Sequence, residues 1–345
     1  AKVGVLQRSQ EASTLCSRMT EETDTAILNL LSSSRGFLSG QMIARKLKLS
    51  RTAIWKRINK LREAGCHITS SRNRGYRLIS TPDRLTPPLV KRGLKTSIIA
   101  RQVFYYPEVD STNLRAKLIA ARGVPDGTLI LTEYQTRGKG RLKRKWVSSP
   151  GKNLLFSVIF YPSVPPHKVF QLTWLTALSV CKSLISTVKV GAGIKWPNDI
   201  YVNNRKICGV LTEFSADPDR VNWAVVGIGI NVNFNPLSDP EIGTIATSIK
   251  RERGKSQKRI DLLRSILEEM DRLYLRFLSG NLAAIREEWL SHSIILGKPV
   301  IVISDDLQEE GIAETIDENG ALIMHTRQGG RKRIICGDLS LRVRS

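Results

Sequence analysis

Acidic residues are scarce in this chain. Against 54 Lys and Arg stand only 31 Asp and Glu over 345 residues, a net charge of +23 and a pI near 10.1. Such an imbalance attracts polyanions over about one Debye length, roughly 8–10 Å at cellular salt. Cysteine is also sparse. Cys16, Cys66, Cys181, Cys208 and Cys336 are odd in number, widely spaced and without a C-x-x-C pair. That spacing excludes a zinc ribbon or a disulfide framework and favours reduced thiols in the cytoplasm. The four histidines, His67, His167, His292 and His325, show neither metal nor triad spacing, and no Gly-x-Ser-x-Gly is present. No metal-ligating set is therefore expected. No run approaches the ~20 continuous apolar residues of a membrane span. Residues 1–20 are polar and lack an apolar signal core, so a disordered tail and no export are expected. The hydrophobic share of 41% is that of an ordinary globular protein, long enough for two or three domains.

The cations are unevenly placed. Residues 45–77 hold eleven Lys and Arg and one acid, Glu63. Residues 21–80 read as short helices followed by a hairpin. Ile27, Leu30 and Leu31 form one apolar face, Ser39 can cap a second helix, and Ser50 can cap a third whose stripe is Ile54, Ile58 and Leu61. The opposite side of that third helix carries Arg51, Thr52, Lys56, Asn59 and Lys60, and Arg72 and Arg74 sit at the hairpin tip. This is the pattern of a winged helix-turn-helix, with Arg, Asn and Thr suited to bases and lysines suited to phosphates. DNA binding by Ser39, Arg51, Thr52, Lys56, Asn59, Lys60, Arg72 and Arg74 is expected, with Trp55 packing at the edge of the stripe.

Thr81-Pro82-Asp83 and Pro87-Pro88 punctuate the chain as a linker. Residues 84–293 then alternate strand-like runs (102–106, 127–133, 154–160, 223–229) with helical ones (113–122, 167–187, 259–279, 282–291), which predicts a mixed α/β domain of sheet and helices. From residue 296 short alternating strands (300–304, 311–316, 321–325, 331–336) predict a small β-barrel. The fold class is α+β.

Four motifs in the central segment carry chemistry. In Ile194-Lys195-Trp196-Pro197-Asn198-Asp199 a cation ends one extended run, and a second follows the Asn203-Asn204 turn. A lysine fixed there can hold a carboxylate or phosphate while charge is rearranged. In the loop at residues 137–146, Gly138 and Gly140 allow close backbone approach to an anion, Lys139, Arg141, Arg144 and Lys145 neutralise it, and Trp146 offers an aromatic face. Asp110-Ser111-Thr112-Asn113 joins a strand to a helix. Its hydroxyls either cap that helix or, with Gln135, bond a neutral polar ring. The glycines of Gly227-Ile228-Gly229-Ile230-Asn231 mark close approach of a ligand or of a packed helix.

These motifs, in this order and spacing, resemble the biotin protein ligases. With the basic winged helix in front and the small SH3-like β-barrel behind, the chain resembles the bifunctional BirA family of biotin ligases and biotin operon repressors over residues 21–345. The resemblance implies domains at 21–80, 84–293 and 296–345. It implies a biotin–[acetyl-CoA-carboxylase] ligase that forms biotinyl-5′-adenylate from biotin and ATP with Mg2+, then transfers biotin to a lysine of the biotin carboxyl carrier protein. It also implies repression at operator DNA by a homodimer formed when the adenylate is bound. Carried over by position, Lys195 and Arg141 are catalytic. Ser111, Thr112, Asn113, Gln135, Gly138, Lys139, Gly140, Arg141, Lys195, Gly227 and Gly229 would hold biotin. Arg141, Arg144, Trp146, Asn198, Asp199 and Asn231 would hold ATP or the adenylate. Where the family loop reads Gly-Arg-Gly-Arg, this chain has Lys139 in place of the first arginine, keeping the charge but not the planar fork. The alternatives are a lipoate or octanoate ligase acting on a carrier lysine, or a biotin-sensing repressor without ligase activity. The loop cations and Trp146 argue against the first, and intact Lys195 and Arg141 against the second.

Overall fold

The computed structural model describes residues 19–304, 307–327, 329–335 and 338–341. The chain divides into two compact units, Ala1–Lys95 and Thr96–Ser345. Of the tail expected at residues 1–20, residues 1–18 lie outside the described ones, and Met19 and Thr20 are already helical.

The first unit opens with helix α1 over residues 19–33, whose buried side is Ile27, Leu28 and Leu31, with Leu30 only half-buried. Helix α2 (Gly40–Leu47) starts where Ser39 Oγ accepts from Met42 N at 3.1 Å, and α3 (Arg51–Glu63) where Ser50 Oγ accepts from Ala53 N at 3.1 Å. Each cap satisfies a donor that the first helical turn leaves over. Ile54, Ile58 and Leu61 are buried at the spacing of one helical face. Strands β1 (His67–Ser71) and β2 (Gly75–Ser80) pair antiparallel as the wing. Gly75 has φ +100°, and a Cβ there would lie 2.0 Å from Leu38 O, so this crossing needs glycine. The segment expected as a linker carries helix α4 (Pro87–Lys91), with proline in its first turn, where the missing N–H costs nothing. Beyond it, Gly93 N donates to Asn29 Oδ1 at 2.9 Å.

The second unit is built on a seven-stranded mixed sheet ordered β3-β4-β5-β9-β8-β7-β6. The strands are β3 (Val103–Val109), β4 (Thr128–Gln135), β5 (Asn153–Phe160), β6 (Ala192–Lys195), β7 (Asp199–Val202), β8 (Arg205–Ala216) and β9 (Val221–Asn231). Only β3 and β4 run parallel, joined through helix α5 (Thr112–Ala120). Pro107 is tolerated in β3 because that strand is an edge. Asn203 and Asn204 both have positive φ, +49° and +59°, and close the expected tight turn between β7 and β8.

Helices cover both faces. Thr212 of β8 hydrogen-bonds Thr173 of helix α6 (Gln171–Ser183), while the next residue, Glu213, accepts from Asn113 of α5. Because successive strand residues point to opposite faces, α5 and α6 lie on opposite sides of the sheet. Helices α7 (Ile249–Arg253), α8 (Arg259–Leu278) and α9 (Leu282–Ser291) follow. On α8, Asp271 accepts from the backbone N–H of Ser97, Ile98 and Ile99, and buried Arg259 pairs with Glu133 of β4 at 2.6 Å. Pro166–Val188 is long and apolar enough to cross a membrane by length and composition, which the search for a continuous apolar run missed. In the fold α6 is almost wholly buried.

A five-stranded antiparallel sheet, β13-β12-β11-β10-β14, closes the chain: β10 (Pro299–Ser304), β11 (Leu307–Ile316), β12 (Leu322–Thr326), β13 (Arg331–Ile334) and β14 (Asp338–Leu341). Strand β11 begins four residues before the expected Gly311, and β14 was not expected. It docks on the larger sheet's elements: Trp196 Nε1 donates to Gly320 O at 2.9 Å, and Arg286 donates to Ile316 O at 2.7 Å. Of the cysteines, Cys66, Cys181 and Cys208 are free and buried, while Cys16 and Cys336 lie outside the described residues.

Candidate functional site

Glycines open the site. A Cβ on Gly227 would lie 2.0 Å from Asn113 Oδ1, and one on Gly229 would lie 2.6 Å from Trp146 Cε2. Gly209, opposite Gly229 in the β8–β9 ladder, would meet Trp146 Cζ3 at 3.2 Å. These bare backbone positions admit the start of α5 and the Trp146 indole to the sheet, so the close approach foreseen for the two glycines of β9 is made by the protein's own side chains. Above them lies a cavity of about 520 Å³. It is lined by the start of α5, the end of β4, residues 139–141 and 144–147 of the basic loop, the β6–β7 corner, β8, β9, and Ile303 of β10.

One cluster of lining residues is neutral and densely bonded. Ser111 occupies the N-cap of α5 without a side-chain capping bond. Thr112 Oγ1 instead contacts Gln135 Oε1 at 3.1 Å, and Thr112 N donates to the same oxygen at 2.7 Å. Of the two readings left open for this junction, the hydroxyls belong to the polar cluster and not to a cap. Behind the lining, Ser157 Oγ lies 2.8 Å from Thr112 Oγ1 and 2.7 Å from Asn113 Oδ1. Asn113 Nδ2 donates to Glu213 Oε2 at 2.8 Å, and Glu213 Oε1 accepts from Lys117 Nζ at 2.7 Å. Burial pushes the Glu213 carboxyl up, but hydrogen bonds from Lys117 and Asn113 and the charges of Lys117 and Lys139 outweigh it and hold it below the usual range.

The second cluster is cationic. Lys195 ends β6, and its Nζ donates to Tyr201 Oη at 3.2 Å over the face of that ring. Arg141 Nη1 donates to Asn198 Oδ1 at 3.3 Å, and Asn198 Nδ2 donates to Val210 O. Asp199 pairs with Lys206 Nζ at 2.6 Å, and that ammonium lies 5.8 Å from the Trp146 ring centroid. The basic loop folds back on itself: Gly140 N donates to Arg144 O at 2.7 Å and Trp146 N to Gly138 O at 2.9 Å. Trp146 Nε1 is buried without a partner, a donor available to an acceptor in the cavity. Asn231 holds the end of β9, accepting from Asn153 and donating to Thr247 O. Above Asn198, the Trp196-Pro197 bond is cis.

Fifteen of the expected ligand residues line this one cavity, and Gly138 does not. Gly138 is needed for packing, since a Cβ there would meet Trp146 O at 2.7 Å and Gln135 Nε2 at 3.1 Å. Lys206 and Tyr201 also line the cavity and were not expected. Lys206 is legible only as one cation in a run, because the partner that aims it, Asp199, stands on the neighbouring strand. Among the described residues no three His, Cys, Asp or Glu side chains converge on a metal position. Asp199 is the lining's single carboxylate, and Lys206 occupies it. The donor set does not form a cage for a divalent ion.

In the first unit Arg51, Thr52, Lys56, Lys60, Arg72 and Arg74 are exposed, and Arg74 lies over the Phe37 ring at 4.6 Å. Ser39 gives an oxygen lone pair to its helix, and Asn59 Oδ1 accepts from Arg62 at 3.2 Å. Trp55 is 54% exposed, so it does not pack on the stripe as expected. It lies between the exposed Arg51 and Lys56 on the helix surface.

Comparison with known proteins agrees with these divisions. Residues 105–233 match the model of the biotin/lipoate A/B protein ligase family, residues 24–77 that of a helix-turn-helix domain, and residues 295–342 that of the biotin protein ligase C-terminal domain. The bifunctional ligase/repressor BirA of Bacillus subtilis is 36% identical over 306 residues, 88% of this chain and 94% of that one. The Escherichia coli protein of the same name is 28% identical over 94% of this chain and 99% of its own. Among solved structures, the Aquifex aeolicus biotin protein ligase in complex with biotin and ATP superposes with a TM-score of 0.61 at 30% identity, covering 70% of this chain and 99% of that one.

Proposed function

The chain belongs to the BirA family of bifunctional biotin ligases and repressors, and from that membership we propose how its two clusters divide the work. The protein is a biotin–[acetyl-CoA-carboxylase] ligase with a repressor's helix-turn-helix. In our reading the neutral cluster of Ser111, Thr112, Asn113 and Gln135 receives the uncharged ring of biotin. Lys195 then holds the carboxylate tail, and Arg141, Arg144 and Trp146 hold the triphosphate and base of ATP. Asn198, Asp199 and Asn231 border the nucleotide.

The observation that carries this reading is the meeting of both clusters on one cavity of about 520 Å³, a size suited to a small ligand. With the carboxylate held by Lys195, one of its oxygens attacks the α-phosphorus of ATP and pyrophosphate leaves. Lys195 and Arg141 are fixed by Tyr201 and Asn198 before the reaction, so they stabilise developing charge without reorganising. The lysine amine of the carrier protein then attacks the acyl carbon of the mixed anhydride and AMP leaves. Magnesium has no cage among the lining residues, and it belongs in this proposal only with the nucleotide's own phosphates. The first unit binds operator DNA through its exposed cations, as a homodimer once the adenylate is bound, and the protein works in the cytoplasm.

Pyrophosphate release tests the first half. The protein with biotin and ATP should release it, and Lys195→Ala should slow the release by about 100- to 1000-fold, the scale of a lost oxyanion donor. Release at the unsubstituted rate in that variant would remove Lys195 from the chemistry.

A further inference from the structure

Glu213 and Lys117 stand outside the cavity, yet they end a hydrogen-bond chain that reaches its lining. Asn113 Nδ2 faces two oxygens, Glu213 Oε2 at 2.8 Å and Leu211 O at 3.2 Å. Glu213 is held in its charged form, which only accepts. Turning the Asn113 amide over would set oxygen against oxygen, so Asn113 Oδ1 must face Ser157. Gln135 is fixed in the same way: its Oε1 takes Thr112 N–H at 2.7 Å, leaving its Nε2 beside Gly138.

Between these two fixed amides lie three oxygen–oxygen contacts. They are Asn113–Ser157 at 2.7 Å, Ser157–Thr112 at 2.8 Å and Thr112–Gln135 at 3.1 Å. Each hydroxyl has one proton, so Ser157 and Thr112 supply two protons for three contacts. The two shorter contacts take them, and the longest, between Thr112 Oγ1 and Gln135 Oε1, is left without one. Both residues line the cavity. With the Asn113 amide reversed, its N–H would supply the third proton, and all three contacts would be filled.

We propose that Glu213 is a positioning residue that sets the hydrogen-bond polarity of the cavity, keeping the Thr112–Gln135 pair one proton short so that it selects a ring N–H on the ligand. The inference rests on the ligase reading, in which that ligand is the cyclic urea of biotin. Lys117 is auxiliary, because the chain needs the carboxylate's lone pairs and not the ion pair.

The test is titration calorimetry on the whole chain without ATP, with Glu213→Met and Lys117→Met variants. The ligands are biotin and the two cyclic carbamates in which one ring N–H or the other is replaced by oxygen. The unsubstituted chain should disfavour one carbamate by about 10- to 100-fold, the range for turning a donor against a buried acceptor. Glu213→Met should narrow that preference to within about threefold, and Lys117→Met should preserve it. Glu213→Gln keeps the shape, but Lys117 claims its one oxygen, so it should narrow the preference too. Its folding does not depend on tolerating methionine. An ion pair with a purely structural role would make the Lys117 and Glu213 variants behave alike, and a general loosening would weaken biotin and carbamate equally. Either result overturns the proposal. No biotin binding by the unsubstituted chain overturns the ligase reading instead.

Discussion

The two cationic regions of this protein hold their charges in opposite ways. On the first unit, Arg51, Lys56, Lys60, Arg72 and Arg74 stand exposed around a small apolar core. In the cavity of the second, Lys195 is set by Tyr201, Arg141 by Asn198 and Lys206 by Asp199. Exposed cations on flexible stems suit a long polyanion whose phosphates can be met in many arrangements. Cations pinned by neighbours suit one small anion at one stage of a reaction. Net charge thus serves two purposes here, and surroundings separate them.

The largest expected effect separates the regions outright. Deleting residues 1–80 should abolish DNA binding in a mobility shift against a biotin-operon promoter and leave carrier biotinylation largely intact. On the whole chain that shift should weaken steeply with salt, with a slope near −0.9 per phosphate contact. Arg51→Ala and Asn59→Ala should alter sequence preference, whereas Lys56→Ala, Arg72→Ala and Arg74→Ala should lower affinity for all sequences by similar factors. A shift indifferent to salt, or to biotin and ATP, would break the comparison on the DNA side.

The basic loop should show a smaller effect. Its cations at Lys139, Arg141, Arg144 and Lys145 crowd one short turn, and Leu142 has φ +52°. Like charges so placed repel until an anion joins them. Protease cleavage within residues 137–146 should therefore slow when biotin and ATP are added. Cleavage at the same rate with and without them would show that the loop is set before ligand arrives. The smallest effect belongs to Lys139→Arg, which restores the planar fork of the family loop. It should tighten binding by a few-fold, since one added charged hydrogen bond at an exposed site contributes about 1 kcal/mol. No change in calorimetric affinity would place Lys139 outside the ligand's reach.

Much of this was legible in the chain because the signals are local. Ser39 and Ser50 announce α2 and α3, the Ile54–Ile58–Leu61 spacing fixes the buried side, and Asn203-Asn204 marks a turn needing two positive φ angles. The lining residues were legible as motifs at the ends of strands. What was hidden depends on partners distant in sequence. Glu213 looks like an ordinary strand carboxylate until the fold brings Asn113 and Lys117 to it across about a hundred residues. The glycines of β9 could announce close approach but not what approaches. Residues 307–310 of β11 look too polar for a strand, and pairing with β10 is what makes them one. Four residues are too few for β14 to show a period.

The central claim is that one cavity activates biotin and passes it to a protein. The most direct measurement is mass spectrometry of a purified carrier domain after incubation with this protein, biotin, ATP and magnesium, with a parallel arm containing lipoate in place of biotin. The account predicts one biotinyl group on a single lysine, formed only when ATP is present, and no modification in the lipoate arm. An unmodified carrier in the biotin arm, or a lipoylated one, would contradict it.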